Sequence, residues 1–309
     1  MRKVIGIGET IVDVLFRDHQ LVAAVPGGSS FNALISLSRM QVPTLFVSEV
    51  GADRVGELVR DYMRDNGLPS DYLEVNPDAK TAISLAFLND RQDAEYVFYK
   101  EASIAKLDQF FPKIEADDIV LFGSYYALNP AIRSRMFDFL QMASDRGALI
   151  YYDVNFRQTH QHEALKLGPS LIENFEFADI IRGSDEDFKH LFQLQDVDKI
   201  YKDRIRYYTP TFIYTKANQG VELCSQKVRK HYEAHTIQPV STIGAGDNFN
   251  AGILYGLLKM RIRKADLLEM TESDWDRVIQ CGLEFASEVC LSYENSVPKD
   301  FAQRLNTQF

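Results

Sequence analysis

A mostly parallel α/β sheet covered by helices on both faces, with a small β-sheet lid beside it, is predicted by three observations. From Asp118 onward, short apolar runs begin near Ile119, Leu149, Asp179 and Thr211, with helical stretches between them. That alternation is the mark of a parallel sheet wound on both sides. Two earlier β-rich stretches, at about 11–25 and 81–100, break the rhythm. They suit a small extra sheet standing over the carboxyl ends of the main strands, where ligands of open α/β sheets bind. Finally, a late Gly-rich turn, Gly244-Ala245-Gly246-Asp247, opens a long apolar helix.

Taken in order, Val4 to Gly8 is a short apolar strand ending in Gly8-Glu9. Ile11–Phe16 and Leu21–Val25 are β-prone and separated by Arg17-Asp18-His19-Gln20, which predicts a hairpin. Pro26-Gly27-Gly28-Ser29-Ser30 turns into a helix carrying Phe31, Leu34, Ile35 and Leu37 on its apolar side. Thr44–Val50 reads as a strand, and Gly51 to Gly56 leads into a helix reaching about Asn66. Thr81–Leu88 and Glu95–Lys100 complete the lid. With no internal repeat or linker, residues 1–309 are expected to form one domain.

Composition narrows the function classes. Hydrophobic residues at 46% and charged residues at 25% are ordinary for a globular core. A net charge of −10 and the lack of a basic cluster argue against a nucleic-acid surface. No apolar run approaches a membrane span, and Glu9 and Asp13 interrupt the N-terminal run too early for a signal peptide. A cytoplasmic protein is the expectation. Cys224, Cys281 and Cys290 are odd in number and lack metal spacing, so they read as buried thiols.

At the late turn, Gly244 and Gly246 allow backbone conformations that a Cβ would obstruct, so successive N–H groups can converge. The helix behind it, with Phe249, Ile253, Leu254, Leu257 and Leu258 at helical spacing, offers unsatisfied N–H donors and a positive dipole end. Such a place binds anions and holds Asp247 ionised. An anion hole beside a carboxylate base is what phosphoryl transfer to a hydroxyl requires. Read locally, the same stretch is equally an Asp cap after a Gly-rich loop. Elsewhere, Gly6-Ile7-Gly8 lacks the third glycine and following helix of a dinucleotide site, and no Walker-type loop exists. His160 and His162 lack a third ligand nearby and suit a solvated helix start.

Four separated pieces, taken together, are more specific. Glu9 and Asp13 follow the first strand, and Gly27-Gly28-Ser29-Ser30-Phe31-Asn32 follows the hairpin. Asp153-Val154-Asn155-Phe156-Arg157 ends a central strand, and Gly244-Ala245-Gly246-Asp247 opens the late helix. With these the chain resembles the ribokinase-like, or PfkB, family of carbohydrate kinases over nearly all its length. Asp-x-Asn-x-Arg with Gly-Glu near the start looks closer to fructokinases and 2-keto-3-deoxygluconate kinases than to adenosine kinases. The resemblance implies a three-layer α/β/α sandwich with a β lid and ATP-dependent phosphorylation of a sugar hydroxyl. It implies that Asp247 is the general base, with the amides of Gly244, Ala245, Gly246 and Asp247 forming the anion hole and Arg157 reaching the γ-phosphate or an acidic sugar group. By the same resemblance Asp13, Gly28, Asn32 and Asn155 bind sugar, joined by Tyr99, Lys100 or Glu101 at the lid strand's end. Thr215, Asn218, Gly220 and Gly246 face the nucleotide, and Glu186 orders Mg²⁺ through water.

The chain also departs from the family pattern. Gly183 stands in place of the usual Asn, Ala217 in place of a frequent Gly, and Ser241 in place of the Asp before Thr242. Residues 291–298 lack an expected glycine. The last two places ordinarily help form a K⁺ site, so the resemblance leaves potassium activation open. Two other readings follow: a nucleoside kinase of the same fold, and a non-catalytic sugar- or nucleotide-binding regulator. The lid's edge suits pairing with a second copy, a homodimer.

Overall fold

The computed structural model describes residues 2–88, 94–99, 107 and 110–305. The main sheet is built from β1 (Val4–Ile7), with β2 (Ile11–Arg17) and β3 (Gln20–Gly27) diverted to the lid. Next come β4 (Thr44–Gly51) and β5 (Leu73–Asn76), then the lid strands β6 (Ile83–Leu88) and β7 (Ala94–Tyr99). The chain then returns to β8 (Ile119–Gly123), β9 (Leu149–Asp153), β10 (Ile180–Ser184), β11 (Phe212–Thr215), β12 (Val221–Cys224) and β13 (Arg229–Tyr232). Among the described residues these form a nine-stranded sheet in the order β13-β12-β11-β10-β9-β8-β1-β4-β5 and a four-stranded sheet β3-β2-β6-β7. The large sheet is parallel from β11 to β5 and ends in an antiparallel hairpin, β12 and β13. That terminal hairpin and the short edge strand β5 are absent from the sequence expectation, because four-residue strands with little alternation carry a weak pattern.

Its central strands are apolar on both faces, so each strand feeds two cores by simple alternation. Ile119, Leu121, Leu149 and Tyr151 enter one core, while Val120, Phe122, Ile150 and Tyr152 enter the other. The first core is covered by α1 (Ser29–Arg39) and α2 (Arg54–Asp65). The second is covered by α3 (Arg133–Asp145), α4 (Ala164–Phe177), α5 (Asp185–Phe192) and α6 (Val197–Ile200). Back on the first face lie α7 (Ala245–Lys259), α8 (Glu272–Val289) and α9 (Phe301–Leu305). Cys224, Cys281 and Cys290 are buried and free, as expected.

The lid hairpin turns on Asp18 and His19, both at positive φ, the handedness that matches strand twist. Behind it, Leu15 and Ala86 pack with Ile243 of the loop before α7. Lid and loop thus share one small core. Glycine sets the spacing of α7 on α8: a Cβ on Gly252 would lie 2.3 Å from the Cys281 carbonyl oxygen, and one on Gly282 would lie 2.7 Å from the Phe249 ring. Gly252→Ala therefore forces two backbones apart, and we expect it to lose about 1–3 kcal/mol, as overpacking does. A lowered denaturant midpoint at unchanged slope would show this; an unchanged midpoint would refute the close helix contact.

Candidate active site

The cleft between the two sheets is floored by the N-terminal turns of α1 and α7. Gly28 precedes α1 at φ +132°, and a Cβ there would come 2.3 Å from the Glu9 carbonyl oxygen, so only glycine fits. One turn on, buried Asn32 donates from Nδ2 to Asp247 Oδ2 at 2.8 Å. Its Oδ1 is buried without a protein partner. Asp13, on lid strand β2, lies beside Ser84 of β6 in register and accepts from the Ser84 hydroxyl. Its other oxygen accepts from Asn295 Nδ2 at 3.1 Å, and a Cβ on Gly27 would sit 2.6 Å from that oxygen. Asp13 and Asn32 therefore meet Asp247, more than 200 residues further along the chain, in one cleft.

Gly244 caps α7 with φ +78°, leaving Ala245, Gly246 and Asp247 as its first turn. The Ala245 amide already bonds the Thr242 carbonyl oxygen at 3.2 Å. The amides of Gly246 and Asp247 are left by helix geometry without intrahelical acceptors. Burial pushes the Asp247 carboxyl up, the nearby Asp153 charge adds to this, and Asn32 and Arg157 pull the other way. The helix terminus alone was expected to hold Asp247 firmly ionised; desolvation reverses the direction and makes the carboxylate a stronger base. Burial likewise pushes Asp13 up to about 6, with Ser84 and Asn295 opposing and Asp247 reinforcing.

Arg157 sits exposed at the cleft mouth, 5.9 Å from the Tyr96 ring centroid of β7. Tyr96 belongs to the apolar patch under the lid, whereas Tyr99, three residues on and facing the other way, is 56% exposed. The lid aromatic that reaches the site is therefore Tyr96, a matter of strand register that a sequence of adjacent aromatics leaves undecided. Lys100 and Glu101 lie outside the described residues. Asn155, at φ +35°, turns the chain between Asp153 and Arg157.

Of the residues expected to face the nucleotide, Thr215 ends β11, Asn218 is exposed in the following turn, and Gly220 has φ +90° with no room for a Cβ against the Tyr232 carbonyl oxygen. Buried Arg182 of β10 donates from Nη2 to Thr215 Oγ1 at 2.7 Å and from Nη1 to Asp153 Oδ1 at 2.9 Å. Asp153 also accepts from Asn250 Nδ2 of α7 (2.8 Å) and Ser29 Oγ of α1 (3.3 Å).

Glu186 is exposed on α5, but its neighbour Asp187 is buried. Asp187 accepts from the Ser184 amide in a capping box and from the Phe156 amide at 2.7 Å, which fixes the loop carrying Arg157. The Ser-x-x-Asp spacing was the signal for it. The departure at Gly183 has a packing cause: a Cβ there would meet the Phe188 ring at 2.5 Å. Ser241, in turn, is buried and accepts from the Ile243 amide, a turn role. Asn295 was not foreseen; nothing near it in sequence marks it, yet its amide reaches Asp13 and its carbonyl accepts from Asn248 of α7 at 2.8 Å.

Comparison with known proteins identifies the family. The model of the pfkB family carbohydrate kinases matches residues 1–300. Among curated relatives, the probable chloroplastic fructokinase-6 of Arabidopsis thaliana is 24% identical, covering 81% of this chain and 69% of its own. Fructokinase-1 of Oryza sativa subsp. japonica is also 24% identical, covering 81% of each. Among solved structures, Vibrio cholerae O395 fructokinase with fructose, ADP and calcium superposes with a TM-score of 0.82 at 19% identity, covering 96% of this chain and 94% of that one. Salmonella enterica aminoimidazole riboside kinase, bound to aminoimidazole riboside and an ATP analogue, gives 0.81 at 20% identity over 99% of each chain. With the family matched across almost its whole length, this chain belongs to the pfkB family of carbohydrate kinases and is an enzyme that phosphorylates a sugar hydroxyl.

Proposed function

We propose that this enzyme transfers the γ-phosphoryl group of ATP to a hydroxyl of a neutral hexose or keto-sugar, with fructose the first choice. The observation that carries the reading is the Asn32–Asp247 bond at the mouth of α7, opposite Asp13. Asp13 and the unpartnered Oδ1 atoms of Asn32 and Asn295 are acceptors for sugar hydroxyls. The fructokinase relatives favour a neutral sugar, while Arg157, whose charge acts on Asp13, keeps a sugar acid among the substrates to be tested. Asp247 takes the proton of the attacking hydroxyl, and the Gly246 and Asp247 amides face the charge developing on the transferred group. Arg157 supplies a permanent charge at the same mouth.

For Mg²⁺, the described residues contain no cluster of three metal-ligating side chains. That fits an ion held by one or two carboxylates, waters and the nucleotide's phosphates. Glu186, exposed on the first turn of α5, would hold it through water. When bound, Mg²⁺ would neutralise the β- and γ-phosphate charge. Closure of the lid would exclude water as a competing acceptor. The lid's exposed Leu21, Phe87, Val97 and Tyr99 favour pairing with a second copy.

A coupled ADP-release assay over fructose, other hexoses, ribose, 2-keto-3-deoxygluconate and nucleosides tests the reading. Saturable release with fructose is expected; release only with adenosine or inosine would transfer the protein to the nucleoside kinases, and none at all would favour a binding role. Asp247→Asn keeps the shape and removes the base. Turnover should fall about 10²–10⁴-fold while sugar and ATP binding stay nearly unchanged; comparable turnover would remove Asp247 from the chemistry.

The raised pKa of Asp13 gives a pH prediction. The folded state holds this proton up to about pH 6, whereas the unfolded chain releases it near 3.8. The associated stability is therefore full below about pH 4 and lost as pH rises through 6. At 1.36 kcal/mol per pH unit the loss is roughly 3 kcal/mol. Asp13→Asn, with the Asn295 amide free to turn its carbonyl inward, should melt higher than wild type at pH 7.5 and equal it near pH 4, while losing sugar affinity. Identical pH profiles of melting for the two proteins would contradict the buried carboxylate.

A further inference from the structure

The guanidinium of Arg182 lies directly beneath the first turn of α7: a Cβ built on Gly246 would be 3.1 Å from Nη2 and 3.3 Å from Nη1. The side chain is 8% exposed, and its Nε is buried with no partner. One arm bonds Asp153, whose second oxygen holds α1 and α7 through Ser29 and Asn250. The other arm bonds Thr215, on the strand that leads into the nucleotide turn. A buried ion pair is weak evidence for stability, since apolar residues of similar volume often do as well. Its position is what matters here. The cation stands where the helix's converging amides already favour negative charge, in a place largely shielded from water.

We propose that Arg182 is a positioning residue for phosphoryl transfer: it places a fixed positive charge under the Gly246 turn and, through Asp153 and Asn250, ties α7 to Thr215, so that the anion hole is organised before substrate arrives. Glycine at 246 leaves room for the guanidinium, whereas the turn itself is made by Gly244 at φ +78°. The charge helps only as negative charge builds on the transferred group, so it raises kcat and leaves sugar binding alone. This inference rests on the kinase reading above.

The test compares kcat and KM for the sugar in wild type, Arg182→Met, Arg182→Lys and the double variant Arg182→Met/Asp153→Asn. The double variant removes both buried charges together, so it keeps the test alive should Arg182→Met fail to fold. Both Met variants should lose about 10²-fold in kcat, the scale of removing one anion-hole donor, with KM for the sugar within about threefold. Arg182→Lys, which keeps the charge, should stay within about tenfold of wild type in kcat. Wild-type kcat in the double variant, a loss confined to KM, or a Lys variant as slow as the Met variants would each overturn the proposal. A wild-type protein that releases no ADP with any sugar would instead defeat the kinase reading on which it stands.

Discussion

The site depends on one buried carboxylate. Asp153, at the end of β9, accepts from Arg182 of β10, Asn250 of α7 and Ser29 of α1. The Ser124 amide bonds its carbonyl oxygen at 3.0 Å, and Gly123 lacks the Cβ that would strike that same oxygen at 2.0 Å. Two helices and three strands are thus referred to a single residue that water does not reach, the helices and β10 through its carboxylate and β8 through its main-chain carbonyl. A carboxylate buried there costs free energy unless it is bonded, and the three donors supply that. The Asn32–Asp247 bond at the cleft floor follows from this arrangement, because the two helices carrying those residues are fixed at their first turns.

How much of this was legible in the sequence varied with the kind of information each residue carries. The alternation of apolar runs and helices gave the sheet, and glycine next to Asp247 gave the start of α7 to within two residues. Asp247 was legible from the Gly-rich turn beside it, whereas Asp13, inside strand β2, and Asn32, inside α1, were legible only through the family resemblance. Arg182 was not: a lone cation inside an apolar strand reads as a surface residue until the neighbouring strands place Asp153 and Thr215 on either side. Asn295 was hidden for the same reason, lying in an irregular loop whose contacts are all distant in sequence. Tyr96 against Tyr99 was a question of register, and one residue of slip reverses which face a strand shows.

The small sheet does more than roof the cleft. Ile243, two residues before the helix start, shares its core with Leu15 and Ala86 of the lid, and Arg17 at the far end of β2 donates to the Val240 carbonyl oxygen at 3.1 Å. A lid displaced from the cleft would therefore pull on the loop that presents the anion hole. Asp13, proposed above to contact the sugar, sits on that same strand, β2. Lid position and the turn before α7 are thus linked through β2 and the residues 240–243.

Such a site is assembled against its own stability. Asp13, Asp153 and Asp247 converge on one cleft with Asp187 behind it, and burial pushes Asp13, Asp187 and Asp247 upward. Arg182 is buried among them and Arg157 stands at the mouth. An apolar filling would be safer for folding, since desolvated carboxylates cost free energy unless paired. What the arrangement gains is a set of charges that need not reorganise during reaction. The rest of the fold bears this cost: two apolar cores, one on each face of a nine-stranded sheet, hold the strand ends in register against the repulsion between those carboxylates. Carboxylate repulsion and sheet packing oppose each other most directly at the ends of β9 and β10, and there the Asp153–Arg182 pair is the point of balance.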